Sequence, residues 1–131
     1  MSFKTILEEA EKRAGDAVKT SPKRISVSLE LPEGPGVYLI YKDKKVLYVG
    51  QSDELSKRFR QHLSDNIEPK GSTFRRKLMR EYHLAARETR KWIMEHCEVS
   101  IINIDEVYMR KLVEALLIVH FRGKGEATLN S

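Results

Sequence analysis

The sequence predicts an α/β domain in which helices flank a small β-sheet. Two short apolar runs, 37–41 and 46–49, border the polar linker 42–45, which is typical of a β-hairpin. A third β-prone run at 99–104 supplies another strand of the same sheet. Apolar residues at helical spacing recur before, between and after these runs, so helices are expected around the sheet.

The hairpin is the centre of the prediction. Side chains alternate between the two faces of a strand, so Tyr38 should share a face with Ile40. Antiparallel pairing about a turn near residues 43–44 would put Tyr38 roughly opposite Tyr48. We therefore expect two phenols side by side on one surface of the sheet.

The N-terminal part of the chain should add a helix and an edge strand. Residues 3–18 carry one apolar stripe, and Ser2 can act as the N-cap of that helix. Residues 25–31 alternate strictly between apolar and polar, which predicts a half-buried strand at a sheet edge. We divide the chain into an accessory segment, 1–31, and a main part, 32–131, within one compact domain.

Three further helical regions follow the hairpin. The first begins after Ser52 or Asp53, either of which can cap it, and should end near Asn66. Residues 73–96 look helical with a break near residues 82–83. The last helix should run from about 106 to 121, with Asp105 as its N-cap.

The composition and charge of the chain limit the classes of protein to which it can belong. The 131 residues include 24 Lys and Arg against 19 Asp and Glu, with a pI near 9.3. The excess fits an ordinary basic surface or a polyanionic partner. A single cysteine, Cys97, excludes an internal disulfide and a multi-Cys zinc cluster, and its apolar neighbours favour a core position. No stretch resembles a membrane span or a secretory signal, so we expect a cytoplasmic protein that does not act at a membrane.

The positive charge is concentrated in one region. Residues 73–91 hold seven basic and two acidic side chains, an excess of five that equals the excess of the whole chain. A solvated helix face is the ordinary explanation for such a run, but its position beside the polar residues of the hairpin favours phosphate binding. With two residues of the preceding helix, these form the predicted basic ridge: Lys57, Arg60, Arg75, Arg76, Lys77, Arg80, Arg87, Arg90 and Lys91.

Two polar groups stand out beside the tyrosines. Arg58 and His62 are four residues apart on a helix and share a face. Glu114 interrupts the apolar run 112–117, where a carboxylate is unfavourable unless it pairs with a cation or binds a metal. Each also has an ordinary explanation: tyrosines packed at a core rim, an Arg58–Glu114 ion pair, and a solvated His62.

Taken in order, these residues resemble the GIY-YIG nuclease family. The resemblance rests on Gly36-Val37-Tyr38, Tyr48-Val49-Gly50, Arg58, His62, Glu114 and Asn130, and it covers about residues 34–131. It implies a three-stranded antiparallel sheet flanked by helices, and a divalent-metal-dependent phosphodiesterase that cuts DNA. It also implies an active site made of Tyr38, Tyr48, Arg58, His62, Glu114 and Asn130, with Glu114 holding one Mg²⁺ or Mn²⁺ ion.

The chain departs from the family pattern in places. Position 62 holds tyrosine in the excision-repair branch, whereas His62 is similar to the homing and phage endonucleases. The segment between Arg58 and Glu114 is longer than in minimal members, and the residues before 30 lie outside the family core.

The chemistry of these side chains suits phosphodiester hydrolysis. Arg58 offers a fork of donors for non-bridging phosphate oxygens. A phenolate made accessible by Arg58 and a dication could take a proton from water, and we favour Tyr48 over Tyr38, which would position the water. His62 could bind the phosphate or relay a proton, and Asn130 could fix a backbone group or a water.

Two other functions compete with the nuclease. A non-catalytic nucleic-acid-binding module would keep the fold and the basic ridge, but the intact Arg58 and Glu114 weigh against it. A protein-interaction domain would leave the concentrated charge unexplained. DNA, branched or damaged, is the expected partner, and a homodimer or a recruiting protein is compatible with the sequence.

Overall fold

Four antiparallel strands and five α-helices make up the part of the chain that the computed structural model describes, residues 2–64 and 72–130. The elements in chain order are α1 Phe3–Lys19, β1 Lys23–Arg24, β2 Gly36–Lys42, β3 Lys45–Ser52, α2 Leu55–His62, α3 Thr73–Tyr82, α4 Ala86–His96, β4 Cys97–Asn103 and α5 Val107–Gly123, followed by a 3₁₀ turn at Thr128–Asn130.

The sheet has the strand order β1-β4-β2-β3, and every neighbouring pair is antiparallel. The antiparallel sheet flanked by helices is confirmed, but it has four strands instead of the three that the resemblance implies, because β1 adds to β4-β2-β3. The fourth strand, β1, has only two residues and pairs with one edge of β4. Strand β3 forms the opposite edge of the sheet.

The strand predicted at residues 25–31 is wrong. After Ile25 donates its N–H to the Cys97 carbonyl at 3.2 Å, the chain leaves the sheet and turns at residues 27–28. Val27 is 64% exposed at this turn, whereas Ile25 is buried. Leu29 and Leu31 then pack partly buried against the core, so an irregular segment lying over the core produces the same alternation as a strand.

The sheet separates two hydrophobic layers. Helices α1 and α5 cover one face, and helices α2, α3 and α4 cover the other. Successive residues of β2 alternate between the layers: Val37 and Leu39 enter the α1–α5 layer, and Tyr38 and Ile40 enter the α2–α4 layer. The tyrosine of the first triplet therefore lies in the same layer as Phe59 of α2.

The β2–β3 hairpin closes through Asp43 and Lys44, whose φ angles are both positive, at 51° and 66°. Positive φ at both central residues is the mark of a type I′ turn. The twist of this turn matches the right-handed twist of the two strands that it joins. Farther from the turn the register shifts between Ile40 and Tyr41, because β3 contains one extra residue, Leu47. This β-bulge decides which face of the sheet Tyr48 occupies.

Several helix boundaries follow the predictions. Ser2 caps α1, and its Oγ accepts the N–H of Thr5 at 3.2 Å. The predicted break near residues 82–83 is confirmed, because His83 ends α3 with φ at 54°.

Other boundaries differ from the predictions. Helix α2 ends at His62, and Asn66 lies outside the described residues. Glu54 and Glu106, not the predicted caps Ser52, Asp53 and Asp105, occupy the N-cap positions of α2 and α5, and neither uses its side chain for the cap.

Two predictions about the chain as a whole concern burial and membranes. Cys97 is buried, and this burial raises the pKa of its thiol to about 12, which fits a core position rather than a reactive one. No helix in residues 2–64 and 72–130 is long and apolar enough to cross a membrane.

Candidate active site

The two tyrosines lie on the same face of the sheet, as predicted. Their ring centroids are 6.3 Å apart. The predicted pairing of Tyr38 roughly opposite Tyr48 is off by two positions: Tyr38 pairs with Gly50, and Tyr48 pairs with Ile40, nearer the turn. The phenols are therefore diagonal neighbours on one surface.

The bulge at Leu47 is the reason why both phenols share this face. A regular ladder continuing from the Lys42–Lys45 pair would place Val49 opposite Tyr38 and turn Tyr48 toward the other layer. The extra residue shifts β3 by one position, so Leu47 and Tyr48 both pack with the α2–α4 layer.

Gly50 makes room for the ring of Tyr38. A Cβ at position 50 would collide with Cζ and Oη of Tyr38, so any other residue would have to push the ring away. The ring instead lies across Gly50 and packs edge-on against Phe59, with centroids 4.9 Å apart. The glycine of the second triplet thus fixes the position of the tyrosine of the first.

His62 holds the phenol of Tyr38 from the helix layer. Its Nε2 lies 3.0 Å from Tyr38 Oη, and its Nδ1 lies 2.7 Å from Ser72 Oγ. The imidazole is 2% exposed and packs against the edges of Phe59 and Phe74. Both ring nitrogens have protein partners, and His62 contacts Tyr38; its two expected roles, binding a phosphate or relaying a proton, stay predictions.

Burial controls the protonation of this cluster. It raises the pKa of Tyr38 well above 10 and also raises the pKa of Tyr48, and the nearby Arg58 opposes both effects without outweighing them. Burial, followed by the positive charges of Arg58 and Arg75, lowers the pKa of His62 to about 3. At neutral pH both phenols are protonated and the imidazole is neutral, so Arg58 alone does not provide a phenolate.

Glu114 approaches the tyrosines from the opposite helix layer. It lies on α5, is half-buried, and is near enough for its charge to raise the pKa of both Tyr48 and Tyr38. Burial raises the pKa of Glu114 itself, and Lys111 acts in the opposite direction. Since Tyr48 belongs to the edge strand, groups from both layers meet on the β3 side of the sheet.

The surroundings of Glu114 suit a divalent cation. Within residues 2–64 and 72–130 no hydrogen bond or ion pair holds its carboxylate, so the alternative of an Arg58–Glu114 ion pair is not supported. The same residues contain no group of three or more His, Cys, Asp or Glu side chains that could hold a metal. A single hard oxygen ligand fits an ion that keeps most of its waters, as Mg²⁺ does.

Asn130 binds the backbone of the edge strand. Its Oδ1 accepts the N–H of Val49, and its Nδ2 donates to the carbonyl of Val49, both at 2.8 Å. Next to it, Ala127 N–H donates to the Val46 carbonyl at 2.7 Å. Asn130 therefore fixes a backbone group, one of its two expected roles, at the residue between Tyr48 and Gly50.

The structure changes the predicted basic ridge at one position. Arg75 is fully buried and donates to the carbonyls of Ser64 and Ala86, at 2.7 and 2.9 Å. It ties the end of α2 to the α3–α4 junction, so its assignment to a nucleic-acid surface is wrong. The remaining members of the ridge are exposed or partly exposed: Lys57, Arg60, Arg76, Lys77, Arg80, Arg87, Arg90 and Lys91.

Two polar residues around the site, Ser72 and Arg110, are not apparent from the sequence. Ser72 caps α3 and contacts His62; a serine before a helix signals a cap, but no local pattern reveals a partner ten residues away. Arg110 is buried on α5, one turn before Glu114, where its Nε donates to Gln51 Oε1 at 2.8 Å. The apolar residues 107–109 before it could have indicated that this arginine is buried, and a buried arginine needs a hydrogen-bond partner.

Comparisons with known proteins give three findings. Solved structures of the GIY-YIG N-terminal endonuclease domain of UvrC from Thermotoga maritima resemble this chain. The structure bound to magnesium shares 23% identity, with a TM-score of 0.46, and the alignment covers 88% of this chain and 92% of that chain. A point mutant bound to its divalent cation shares 23% identity, with a TM-score of 0.45 and coverages of 88% and 91%.

A search of curated proteins finds no match. The model of the GIY-YIG catalytic domain matches residues 34–106, which include both triplets, Arg58 and His62 and make up more than half of the chain. The sequence motifs, the paired tyrosines and this match lead to one assignment: the chain belongs to the GIY-YIG family and carries its nuclease domain.

Proposed function

We propose that this protein is a divalent-metal-dependent endonuclease that hydrolyses DNA phosphodiester bonds. The observation that carries the proposal is the approach of the Glu114 carboxylate, for which the described residues provide no ion-pair partner, to both phenols. A carboxylate without a cation is unfavourable in a half-buried site, but it is the group a metal ion requires.

Glu114 is the residue that would hold one Mg²⁺ or Mn²⁺ ion per active site. When bound, such an ion would stabilise negative charge on the phosphate in the transition state by roughly several kcal/mol. It would also lower the pKa of a bound water.

The side chains of the protein then bind and orient the reactants. Arg58 carries a permanent charge beside both phenols and is suited to the non-bridging oxygens of the scissile phosphate. Tyr48 is the less buried phenol, so it is our choice for the group that, after losing its own proton to solvent beside Arg58 and a bound cation, would take the proton from the attacking water. Tyr38, held by His62, positions that water.

DNA binding is assigned to the exposed part of the basic ridge, without Arg75. Lys57, Arg60 and Arg76 are examples. They are exposed on α2 and α3, which cover the face of the sheet that carries the two tyrosines. Contacts of such side chains with phosphates carry no sequence information, so we expect this surface to recognise DNA by its shape, as in branched or damaged DNA.

Cleavage of supercoiled plasmid and of flapped or branched DNA in Mg²⁺ or Mn²⁺ tests the proposal. We expect the wild-type protein to cut and Glu114→Gln to lose activity by about 100-fold or more, because the amide removes the charge that holds the ion. Glu106→Gln, at an exposed position at the start of the same helix, is the matched control and should cut normally.

Two outcomes contradict the proposal: a wild-type protein that cuts nothing with either ion, or a Glu114→Gln variant as active as the wild type. Retention of DNA without cleavage would support the alternative, a nucleic-acid-binding module that keeps the fold.

A further inference from the structure

The outer edge of β3 is covered by the C-terminal segment, residues 126–130. Val46 makes two hydrogen bonds with this segment: its N–H donates to Glu126 Oε1 at 2.7 Å, and its carbonyl accepts a backbone N–H of the segment at 2.7 Å. Val49 makes two hydrogen bonds with the side chain of Asn130, both at 2.8 Å. The segment therefore pairs with β3 at two points, as a further strand of the sheet would.

The spacing of the two paired residues, Val46 and Val49, matches the bulge between them. In an antiparallel pair, the backbone groups that point away from the partner strand belong to every second residue. A regular strand would therefore turn the groups of residues 46 and 48 outward, but here those of Val46 and Val49 point outward, because Leu47 is the extra residue. The C-terminal segment thus holds β3 immediately before and immediately after Leu47 and Tyr48.

The C-terminal segment is itself fixed by contacts with both helix layers. The N–H of Glu126 donates to the carbonyl of Phe121 in the last turn of α5 at 2.8 Å, and Arg122 Nη1 donates to the carbonyl of Ala127 at 3.3 Å. Ala127 is buried in the α1–α5 layer, and Leu129 is buried in the α2–α4 layer. Because these contacts do not involve β3, the segment can act as a support for the strand.

The position of the Tyr48 phenol depends on this support. Its ring packs against Phe74 of α3, with centroids 5.3 Å apart, and its hydroxyl is the group proposed to take the proton from water. Without the bulge, the strand would turn this ring toward the other layer. Hydrogen bonds that hold the bulge from the outer edge therefore hold the phenol on the face of the active site.

We propose that Glu126 is a positioning residue for Tyr48: its side chain holds the N–H of Val46 and so fixes the bulge that turns the phenol toward the active site. This inference rests on the proposed function and adds to it a residue that the family resemblance does not include. Glu126 does for Val46 what Asn130 does for Val49. The role requires an acceptor oxygen at Oε1 and does not require its negative charge.

Two substitutions of similar length separate the hydrogen bond from the charge. Glu126→Gln keeps an acceptor oxygen and removes the charge, whereas Glu126→Met keeps the length of the side chain and removes the strong acceptor. Glu8→Met, at an exposed position on α1, is the matched control. Far-UV circular dichroism and thermal unfolding show whether each variant is folded, and all comparisons are made below the lowest unfolding temperature.

The first readout is nuclear magnetic resonance without DNA or metal. In the wild type we expect slow hydrogen exchange at the Val46 amide and a nuclear Overhauser effect between the rings of Tyr48 and Phe74. Both should persist in Glu126→Gln and Glu8→Met and weaken in Glu126→Met. Fast exchange at Val46 in the wild type would overturn the inference without any variant. An unchanged ring contact in Glu126→Met would overturn it as well.

The second readout is cleavage of plasmid DNA. We expect kcat of Glu126→Met to be about 10-fold below that of Glu126→Gln, because a small displacement of a reacting group slows the chemical step. KM should be similar, since the basic ridge is unchanged. Equal kcat values for the two folded variants, whether high or low, would overturn the positioning role. If Glu114→Gln shows that the proposed function is wrong, the contact between Tyr48 and Phe74 still tests the support of the bulge by itself.

Discussion

Tyr38 reaches His62 because position 50 has no side chain. Gly50→Ala should reduce the free energy of unfolding by about 1–3 kcal/mol, since the added methyl collides with a buried ring that has no room to move. It should also abolish cleavage, because the Tyr38 hydroxyl can no longer meet His62 Nε2. Urea unfolding and plasmid cleavage measure the two effects.

Gly15 provides the matched control for this substitution. It lies in α1, and a Cβ there would meet no atom within 4 Å. Gly15→Ala should therefore raise the free energy of unfolding by about 0.5–1 kcal/mol through helix propensity. A Gly50→Ala variant as stable and active as Gly15→Ala would contradict the close contact between Gly50 and Tyr38.

The depressed pKa of His62 should make stability depend on pH. In the unfolded chain the imidazole takes a proton near pH 6.5, but in the folded chain it does so only near pH 3. Between these values the unfolded state binds more protons, so the free energy of unfolding falls as pH decreases below 6.5. The contribution approaches about 1.4 kcal/mol per pH unit.

Urea unfolding between pH 7.5 and pH 5 measures this slope. We expect His62→Gln to remove the contribution, whatever its effect on stability at pH 7.5. His83→Asn is the control, because His83 is exposed and asparagine tolerates its left-handed backbone. A slope that is the same in His62→Gln and the wild type would show that the ring is protonated alike in both states.

At the scale of the elements, helix α3 contains two adjacent arginines with different roles: Arg75 stabilises the fold, and Arg76 belongs to the proposed DNA-binding surface. Arg75→Ala should lower the free energy of unfolding by about 2–4 kcal/mol, because the buried guanidinium is lost and two partly buried carbonyls, of Ser64 and Ala86, lose a charged donor. Arg76 is exposed, so Arg76→Ala should change stability by less than about 0.5 kcal/mol. It should instead weaken DNA binding and reduce the salt dependence of that binding by about one unit of slope.

Unfolding in urea and fluorescence anisotropy with labelled DNA at several salt concentrations test the pair. An unchanged salt dependence in Arg76→Ala would contradict its place in the basic ridge. Unchanged stability in Arg75→Ala would contradict the structural role of Arg75.

The elements also show where prediction from sequence ends. Period-two alternation correctly gave the face of Tyr38 in β2, because that strand is regular. The register was wrong because one extra residue, Leu47, leaves no mark in the pattern of apolar residues. Residues 25–31 alternate between apolar and polar as a strand does, but Ile25, Leu29 and Leu31 contact the core from an irregular segment, and Val27 between them is exposed.

At the scale of the whole molecule, four of the predicted site residues lie near one another. The side chains that contact them could not be predicted from the sequence. Tyr38, Tyr48 and His62 lie in one layer, and Glu114 reaches them from the helix of the other layer. The separation of the two layers depends on long-range packing, which periodicity describes only one element at a time. The burial of Arg75 had no local sign for the same reason: a basic residue within a basic run looks solvated until its neighbours are known.

The pairing of Asn130 with Val49 also has a consequence for the order of events during synthesis. These residues are 81 positions apart, and among the proposed site residues Asn130 is the last to be made. Until then, the outer edge of β3 beside Tyr48 lacks this partner, and exposed strand edges readily pair with other chains. A nascent chain that has already formed its hairpin therefore remains incomplete at its proposed site and open to mispairing until the residues that pair with this edge are made.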